Sequence, residues 1–254
     1  MKTIWTGSIS FGLVNIPVRL YSAVESQNKV GFRLLHKKDN VPIKNKRWCS
    51  KHDKEVSWDD IVKGIEISKN KFYIFEKEEL QNLKPGKTDT INIVEIIHSR
   101  QIDPIYFDHT YFIGPDKKNE KAYFLLKEVL QQSAKAAIGR FVMREKEYVC
   151  AIESYKNGLL LTTLNYAYEI RNIEDIDFID NKPKLSTQEL ELAKQLIGKL
   201  EKEEFDITDF KDTFRDELLK LIKKKTKGEL IEVKAESKKI KKEKNLVESL
   251  KASL

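Results

Sequence analysis

Apolar and polar side chains alternate along the first 24 residues, which is the period of a β-strand with one buried face. Ile9, Phe11 and Leu13 share one phase of this alternation, and the apolar residues between 16 and 20 follow the opposite phase. The change of phase predicts a bulge or bend near residues 14–15.

Further short strands are predicted downstream. Pro17 has no N–H to donate to a ladder, so its strand is expected at a sheet edge or an irregularity. The other predicted strands cover residues 72–75, 91–98, 105–113 and 140–152. Many short strands favour a barrel or a sandwich.

A hairpin is predicted between the apolar segments 148–152 and 159–164. Asn157 and Gly158 lie between them, and Asn-Gly supplies the two positive φ angles that a type I′ turn needs.

Helical periodicity interrupts and then follows these strands. Residues 119–138 carry apolar side chains at helical spacing, and this helix is expected to close at Gly139. After Pro183, Ser186 and Glu189 form a capping-box pattern before an amphipathic segment, and a second helix is predicted over 209–225. The pattern predicts an α+β, mainly β protein with a strand-rich core at 1–183, a helical region at 184–228 and a tail at 229–254.

The end of the chain changes character twice. Residues 234–245 are mostly Lys and Glu without apolar periodicity, which predicts a flexible linker. The last ten residues place Leu246, Val247, Leu250 and Leu254 on one helical face. A helix this short is marginal alone, so the segment is interpreted either as a tethered peptide ligand or as a weakly ordered end.

The net charge of +7 is distributed unevenly. Eleven lysines against five glutamates give the segment 223–254 a charge of +6, whereas three basic against eight acidic residues give 201–217 a charge of −5. Nine basic against two acidic residues give the segment 29–54 a charge of +7. Such segregation favours one surface that meets a polyanion, although ordinary solvated charge remains the alternative.

The candidate phosphate contacts lie mainly around a predicted turn at residues 39–42. Lys and Arg side chains can hold phosphates without reading bases. The candidates are Arg33, Lys37, Lys38, Lys44, Lys46 and Arg47, with Lys117 and Lys118 as a second basic turn and Arg140 in a weaker cluster.

The motifs of common enzymes are absent from the sequence: there is no P-loop, dinucleotide fingerprint or nucleophile elbow. Cys49 and His52 have half the spacing of a zinc site, but no second ligand pair stands nearby, so no metal and no cofactor are expected. Cys49 and Cys150 are expected to be free thiols. Without an apolar secretory signal, the expected location is cytoplasmic and associated with the nucleoid.

Several segments together resemble the bacterial Ku family. The longest is residues 4–23, Ile-Trp-Thr-Gly-Ser-Ile-Ser-Phe-Gly-Leu-Val-Asn-Ile-Pro-Val-Arg-Leu-Tyr-Ser-Ala. The resemblance continues through residues 32–39, 58–64, 114–117, 120–123, 161–164, 193–197 and 246–254. The chain departs from the family at residues 49–54, where many members have Cys-x-x-Asp/Cys-Gly, and this departure weakens any metal role there.

The resemblance implies a β-barrel with an extended β-arm, two copies of which form a ring-shaped homodimer around double-stranded DNA ends. It also implies recruitment of the multifunctional ATP-dependent DNA ligase of bacterial non-homologous end joining, which we assign to the terminal peptide. The expected function is therefore sequence-independent end binding without catalysis. A general basic architectural, chromatin-like protein is the alternative, and a nuclease is a third hypothesis.

Overall fold

The computed structural model describes residues 1–25, 31–76, 78–80, 89–116, 120–179 and 183–226, together with positions 247, 250 and 251. The chain divides into two compact units, Met1–Arg171 and Asn172–Leu254. Each unit is described by itself below.

The first unit is built on a closed barrel of seven strands. These strands are β1 (Thr3–Phe11), β2 (Val14–Ser22), β7 (Thr90–His98), β8 (Phe107–Pro115), β9 (Lys135–Met143), β10 (Lys146–Tyr155) and β11 (Gly158–Leu164). Around the barrel they follow the order β1-β2-β8-β11-β10-β9-β7. Neighbouring strands are antiparallel, except where β1 and β7 close the barrel in parallel by pairing Ser8 with Thr90 and Ser10 with Asn92. The predicted mainly β fold is therefore confirmed as a barrel.

The barrel interior holds the main hydrophobic core. Side chains alternate between the two faces of each strand, so Ile9, Ile16 and Leu161 point inward and are completely or almost completely buried. Each fully buried aliphatic side chain of this kind contributes roughly 1.5–3 kcal/mol. A second cluster around Ile138 and Ala151 lies on the opposite face of the same wall, as the alternation requires.

The first two strands form a hairpin rather than one bent strand. The chain reverses at Gly12, whose φ is 59°, and at the fully exposed Leu13, two residues before the predicted bend. Pro17 was predicted at a sheet edge or an irregularity, and β2 is not an edge strand because it lies between β1 and β8. Pro17 is tolerated because the β2–β8 pairing begins at the next residue, Val18. No hydrogen bond of that ladder therefore requires an N–H at position 17.

Helix α1 (Glu120–Ser133) lies across one end of the barrel. Its Tyr123 is part of the interior core, and the Tyr123 hydroxyl forms hydrogen bonds with backbone groups near the end of β8 and at the start of β11. The prediction that this helix continues to Gly139 is wrong. Ala134 has a φ of 51°, which ends the helix, and β9 then carries Gly139 into the barrel wall.

Residues 140–152, predicted as one strand, span the end of β9 and the first seven residues of β10. Arg144 and Glu145 have φ values of 51° and 68° and make a two-residue turn between β9 and β10. The predicted hairpin between β10 and β11 is confirmed, but its loop is one residue earlier than expected. Tyr155 pairs with Gly158, so Lys156 and Asn157 form the turn.

Between β2 and β7 the chain leaves the barrel as an arm, defined here as the described residues between 31 and 80. It contains two small antiparallel hairpins, β3 (Trp48–Cys49) with β4 (Lys54–Glu55), and β5 (Lys63–Ser68) with β6 (Lys71–Phe75). Among the described residues of the arm, no side chain is buried. Two-stranded hairpins are only marginally stable alone in water, so the arm lacks the packing that stabilises the barrel.

The second unit contains helices α2 (Thr187–Leu200) and α3 (Thr213–Thr226). The predicted capping box of α2 is confirmed: Glu189 N–H donates to Ser186 Oγ at 3.3 Å, and Ser186 N–H donates to Glu189 Oε2 at 2.7 Å. α3 begins four residues later than predicted, because residues 207–209 form a separate 3-10 turn. None of the helices within the described ranges is long and apolar enough to cross a membrane.

Candidate nucleic-acid interface

Two basic side chains of the arm lie on a tight turn that spans residues 36–41, whereas the sequence predicted a turn at 39–42. His36 N–H donates to Val41 O at 2.9 Å, and Asn40 N–H donates to His36 O at 2.8 Å. Asn40 takes a φ of 57°, which asparagine tolerates better than most residues. Lys37 and Lys38 lie inside this turn and are exposed, so their ammonium groups face solvent.

A second group of basic residues lies beside the β3–β4 hairpin. Lys46 Nζ is 2.7 Å from Glu55 Oε2, and this hydrogen bond together with the lysine charge lowers the pKa of the Glu55 carboxyl below its usual value. Arg47 Nε donates to Val56 O at 3.2 Å, and the Arg47 guanidinium lies over the ring of Trp58. Lys46 and Arg47 therefore also hold the arm together.

The β3–β4 turn brings Cys49 and His52 together. The Cys49 Sγ and His52 Nδ1 atoms are 3.4 Å apart, and Trp48 Nε1 donates to Asp53 Oδ1 at 3.2 Å across the same turn. A structural zinc site needs four ligands. Within the described ranges, no group of three or more His, Cys, Asp or Glu side chains is arranged to hold a metal ion.

The same arm exposes large apolar side chains alongside its charges. Ile65 and Ile67 on β5 are 59% and 70% exposed, and Phe72 and Ile74 on β6 are 59% and 53% exposed. Further exposed apolar residues of the arm are Phe32, Leu34, Leu35, Val41, Ile43, Trp48, Trp58 and Val62. Ile65 pairs with Tyr73, whereas Phe72 and Ile74 pair with Glu66 and Gly64, so apolar side chains are exposed on both faces of this hairpin. Exposed apolar side chains in this number favour an interaction site on the arm.

The remaining predicted contact residues do not all lie on the arm. Arg33 and Lys44 are exposed arm residues, whereas Arg140 is exposed on strand β9 of the barrel wall. Lys117 and Lys118 lie outside the described residues, and so does the predicted flexible segment 234–245.

The predicted terminal peptide is described at only a few positions. Val247 and Leu250 both have helical backbone and partly buried side chains. Leu246 and Leu254 lie outside the described residues.

Sequence reasoning missed the aromatic residues next to these cations. Trp58 receives the Arg47 guanidinium, and the Lys146 ammonium lies 5.1 Å from the centroid of the Tyr148 ring. The signal was available in the second case, because a basic residue two positions before an aromatic residue on one strand shares its face. In the first case the partners are eleven positions apart, and only the hairpin between them brings them together.

Two comparisons define the family. Residues 10–192 match the family model described as the Ku70/Ku80 beta-barrel domain. The chain is 38% identical over 254 residues to the non-homologous end joining protein Ku of Archaeoglobus fulgidus, covering 100% of this chain and 98% of the relative. It is 36% identical to the protein of the same name from Heliobacterium modesticaldum, covering 100% of this chain and 91% of the relative.

A third relative extends the comparison. The non-homologous end joining protein Ku of Bacillus subtilis is 36% identical over 226 residues, which are 89% of this chain and 72% of the relative. By its fold, the protein is a closed β-barrel with an arm of two hairpins inserted between β2 and β7. The chain belongs to the Ku family.

Proposed function

We propose that this protein binds the ends of double-stranded DNA without sequence preference, as a homodimer that encircles the duplex. In this role it protects the ends and recruits the ATP-dependent DNA ligase of non-homologous end joining. The protein performs no chemical step itself. The observation that carries the proposal is an arm that exposes both a basic segment and many large apolar side chains.

The basic segment supports a contact with the DNA backbone. Lys37, Lys38 and Lys44 are exposed, and among the residues that the structure describes no acidic side chain pairs with them. Ammonium groups that are free of internal partners can displace the counterions of phosphates, and such contacts carry no base information. This supports binding that depends on charge and shape rather than on sequence.

The apolar surface of the arm supports a second copy as its occupant. DNA phosphates cannot cover side chains such as Ile67 and Phe72, because burial against a polyanion leaves apolar surface without an apolar partner. A two-fold dimer brings the same surface of each copy together. The apolar side chains of one arm can then be buried against those of the second copy's arm. Two arms joined in this way make a closed path around a duplex.

The relatives support the biological context. Three of them are named non-homologous end joining protein Ku, and the chain is 36–38% identical to them. We assign ligase recruitment to Leu246, Val247, Leu250 and Leu254, which share one helical face in the sequence. Amphipathic helices commonly bind by laying such a face into a groove.

Linear and closed circular duplexes of the same sequence separate the ring from its alternative. An encircling dimer needs a free end to load, so we expect tight binding to the linear form and little to the closed circle. A general architectural protein contacts the backbone from outside, so it binds both forms. Equal affinities in a competition assay at fixed salt contradict the ring.

Deletion of residues 245–254 tests the ligase assignment separately. We expect unchanged affinity for linear duplex and loss of the stimulation of end joining by the ligase. A matched control replaces Glu248 and Lys251 by glutamine, which keeps the apolar face of the same segment. Full stimulation by the deletion variant contradicts the assignment.

A further inference from the structure

Two tyrosines after the last barrel strand form an exposed aromatic stack. The rings of Tyr166 and Tyr168 are 5.4 Å apart between centroids, and their planes differ by only 10°. Tyr166 is partly buried against the barrel, whereas Tyr168 is 80% exposed. The inner ring therefore supports the outer ring, which presents its other side to solvent.

The backbone beneath this stack is firmly held. Residues 167–169 form a 3-10 turn, and Tyr166 N–H donates to the carboxylate of Glu169 at 2.8 Å while Glu169 N–H donates to Tyr166 O at 2.9 Å. Asn165 N–H also donates to Tyr106 O at 2.8 Å, which ties the start of the turn to the chain before β8. An aromatic ring on a fixed turn loses little entropy when it binds a flat ligand.

The surroundings of the stack carry charges of both signs. Burial and the nearby Glu147 and Tyr168 raise the pKa of the Tyr166 phenol, while Arg140 and Lys146 oppose that shift. Arg140 and Lys146 therefore act electrostatically on the inner ring, and Arg140 is also one of the residues predicted to contact phosphate. A flat aromatic face with cations beside it is the arrangement by which proteins hold single-stranded nucleic acid.

We propose that Tyr168, supported by Tyr166, is a stacking platform for an unpaired base in the single-stranded overhang of a broken DNA end. Every base has a π-face, so the platform accepts any sequence, in keeping with binding that does not read bases. Arg140 and Lys146 can accompany the phosphates next to the stacked base. The inference rests on the proposed binding of DNA ends and adds a contact with the unpaired strand.

The test compares the full-length protein with Tyr168→Ala and Tyr168→Phe on two probes. One probe is a blunt linear duplex, and the other is the same duplex carrying a short thymidine overhang. For Tyr168→Ala we expect affinity for the overhang duplex to fall roughly fivefold or more, the lower range for loss of one base–aromatic stack, with blunt affinity unchanged. Tyr168→Phe keeps the π-face and should bind like the wild type.

A spectroscopic readout reports the stack itself. With 2-aminopurine as the first unpaired base, stacking on Tyr168 should quench its fluorescence in the wild type and in Tyr168→Phe but not in Tyr168→Ala. The matched control is Tyr155→Ala, because Tyr155 is another exposed tyrosine that stacks on an aromatic ring and has a lysine over it, at the opposite end of β11. We expect this control to keep both the affinity and the quenching.

Several outcomes overturn the proposal. Equal weakening on blunt and overhang probes assigns Tyr168 to a duplex contact, and unchanged affinity with unchanged fluorescence removes it from DNA binding. A shift in the monomer–dimer equilibrium on sedimentation, with no effect on the overhang, assigns the stack to a contact between copies. Failure of the wild type to bind blunt linear duplex instead rejects the proposed function.

Discussion

The guanidinium carbon of Arg47 lies 4.4 Å from the centroid of the Trp58 ring. The two residues lie on either side of the β3–β4 hairpin, and Arg47 O also accepts a hydrogen bond from Val56 N–H at 2.9 Å. Since no side chain of the described arm is buried, these polar and aromatic contacts hold its local shape in place of a core. The cations of the arm therefore divide into those that fix its structure and those left for a ligand.

This division selects the residues whose replacement tests phosphate binding most directly. Replacing Lys37, Lys38 and Lys44 by glutamine removes exposed charge without breaking an internal pair, so we expect weaker binding to every linear duplex alike. The slope of log affinity against log salt should become shallower by about 0.9 for each phosphate that the variant no longer neutralises. A titration of blunt duplex at several salt concentrations measures both the affinity and the slope.

A matched control comes from the helical unit. Lys194, Lys211 and Lys220 are also exposed, and their replacement by glutamine changes the net charge by the same amount. We expect this control to keep the wild-type salt slope. Equal losses of affinity in the two triple variants mean that the net charge, and not the arm, attracts the DNA.

Tyr123 offers a test of how α1 packs across the end of the barrel. Its hydroxyl donates to Ile113 O at 2.7 Å and accepts from Leu159 N–H at 2.9 Å, and its ring is buried. Tyr123→Phe leaves both backbone groups without this partner in the core, which costs about 1–3 kcal/mol of unfolding free energy. We expect a lower urea midpoint, whereas Tyr155→Phe, on an exposed ring, should stay within about 0.5 kcal/mol of the wild type.

The sequence predicted strands better than the points where the chain reverses. The apolar segment 91–98 identified β7, and the Asn-Gly turn between two apolar segments identified the β10–β11 hairpin. The turn at Arg144 and Glu145 was missed, since neither residue is a usual turn former although both take positive φ angles.

In the candidate site, too, some features were predicted from the sequence and others were not. A basic turn was predicted at residues 39–42 and is found at 36–41, because Asn40 and the lysines around it are neighbours in sequence. The internal pairing of Lys46 with Glu55 and the stack of Tyr166 on Tyr168 were not predicted, because these contacts depend on side-chain orientation in the folded chain.

Two glycines differ in whether the structure leaves space for a Cβ atom, and the sequence alone does not show this difference. A Cβ atom on Gly139 would lie 2.9 Å from the backbone oxygen of Asn92, whereas one on Gly198 in α2 meets nothing within 4 Å. We expect Gly139→Ala to destabilise the protein by about 1–3 kcal/mol through overpacking. Gly198→Ala should instead stabilise it by roughly 0.5–1 kcal/mol, because alanine is the better helix former. Urea unfolding measures both, and a loss of stability in both variants contradicts the distinction.

The two cysteines should differ sharply in reactivity. Burial raises the pKa of the Cys150 thiol to about 12, whereas Cys49 is partly exposed at the β3–β4 turn. The thiolate is the nucleophile, so at pH 8 a thiol reagent should modify Cys49 in the folded protein and reach Cys150 only after unfolding. Cys49→Ser supplies the control, in which the folded protein should react very little. Rapid modification of folded Cys49→Ser contradicts the burial of Cys150.

The same burial gives stability a pH dependence with a definite sign. The unfolded thiol has a pKa near 9.0 and the folded one about 12, so the folded state favours the protonated form. Below pH 9 both states hold the proton and the contribution of Cys150 is constant. Between about pH 9 and 12 only the unfolded state loses its proton, so the free energy of unfolding should fall as pH rises. Cys150→Ala removes this thiol, so the decline of its urea midpoint across that window should be shallower than in the wild type; parallel declines mean that other groups cause the effect.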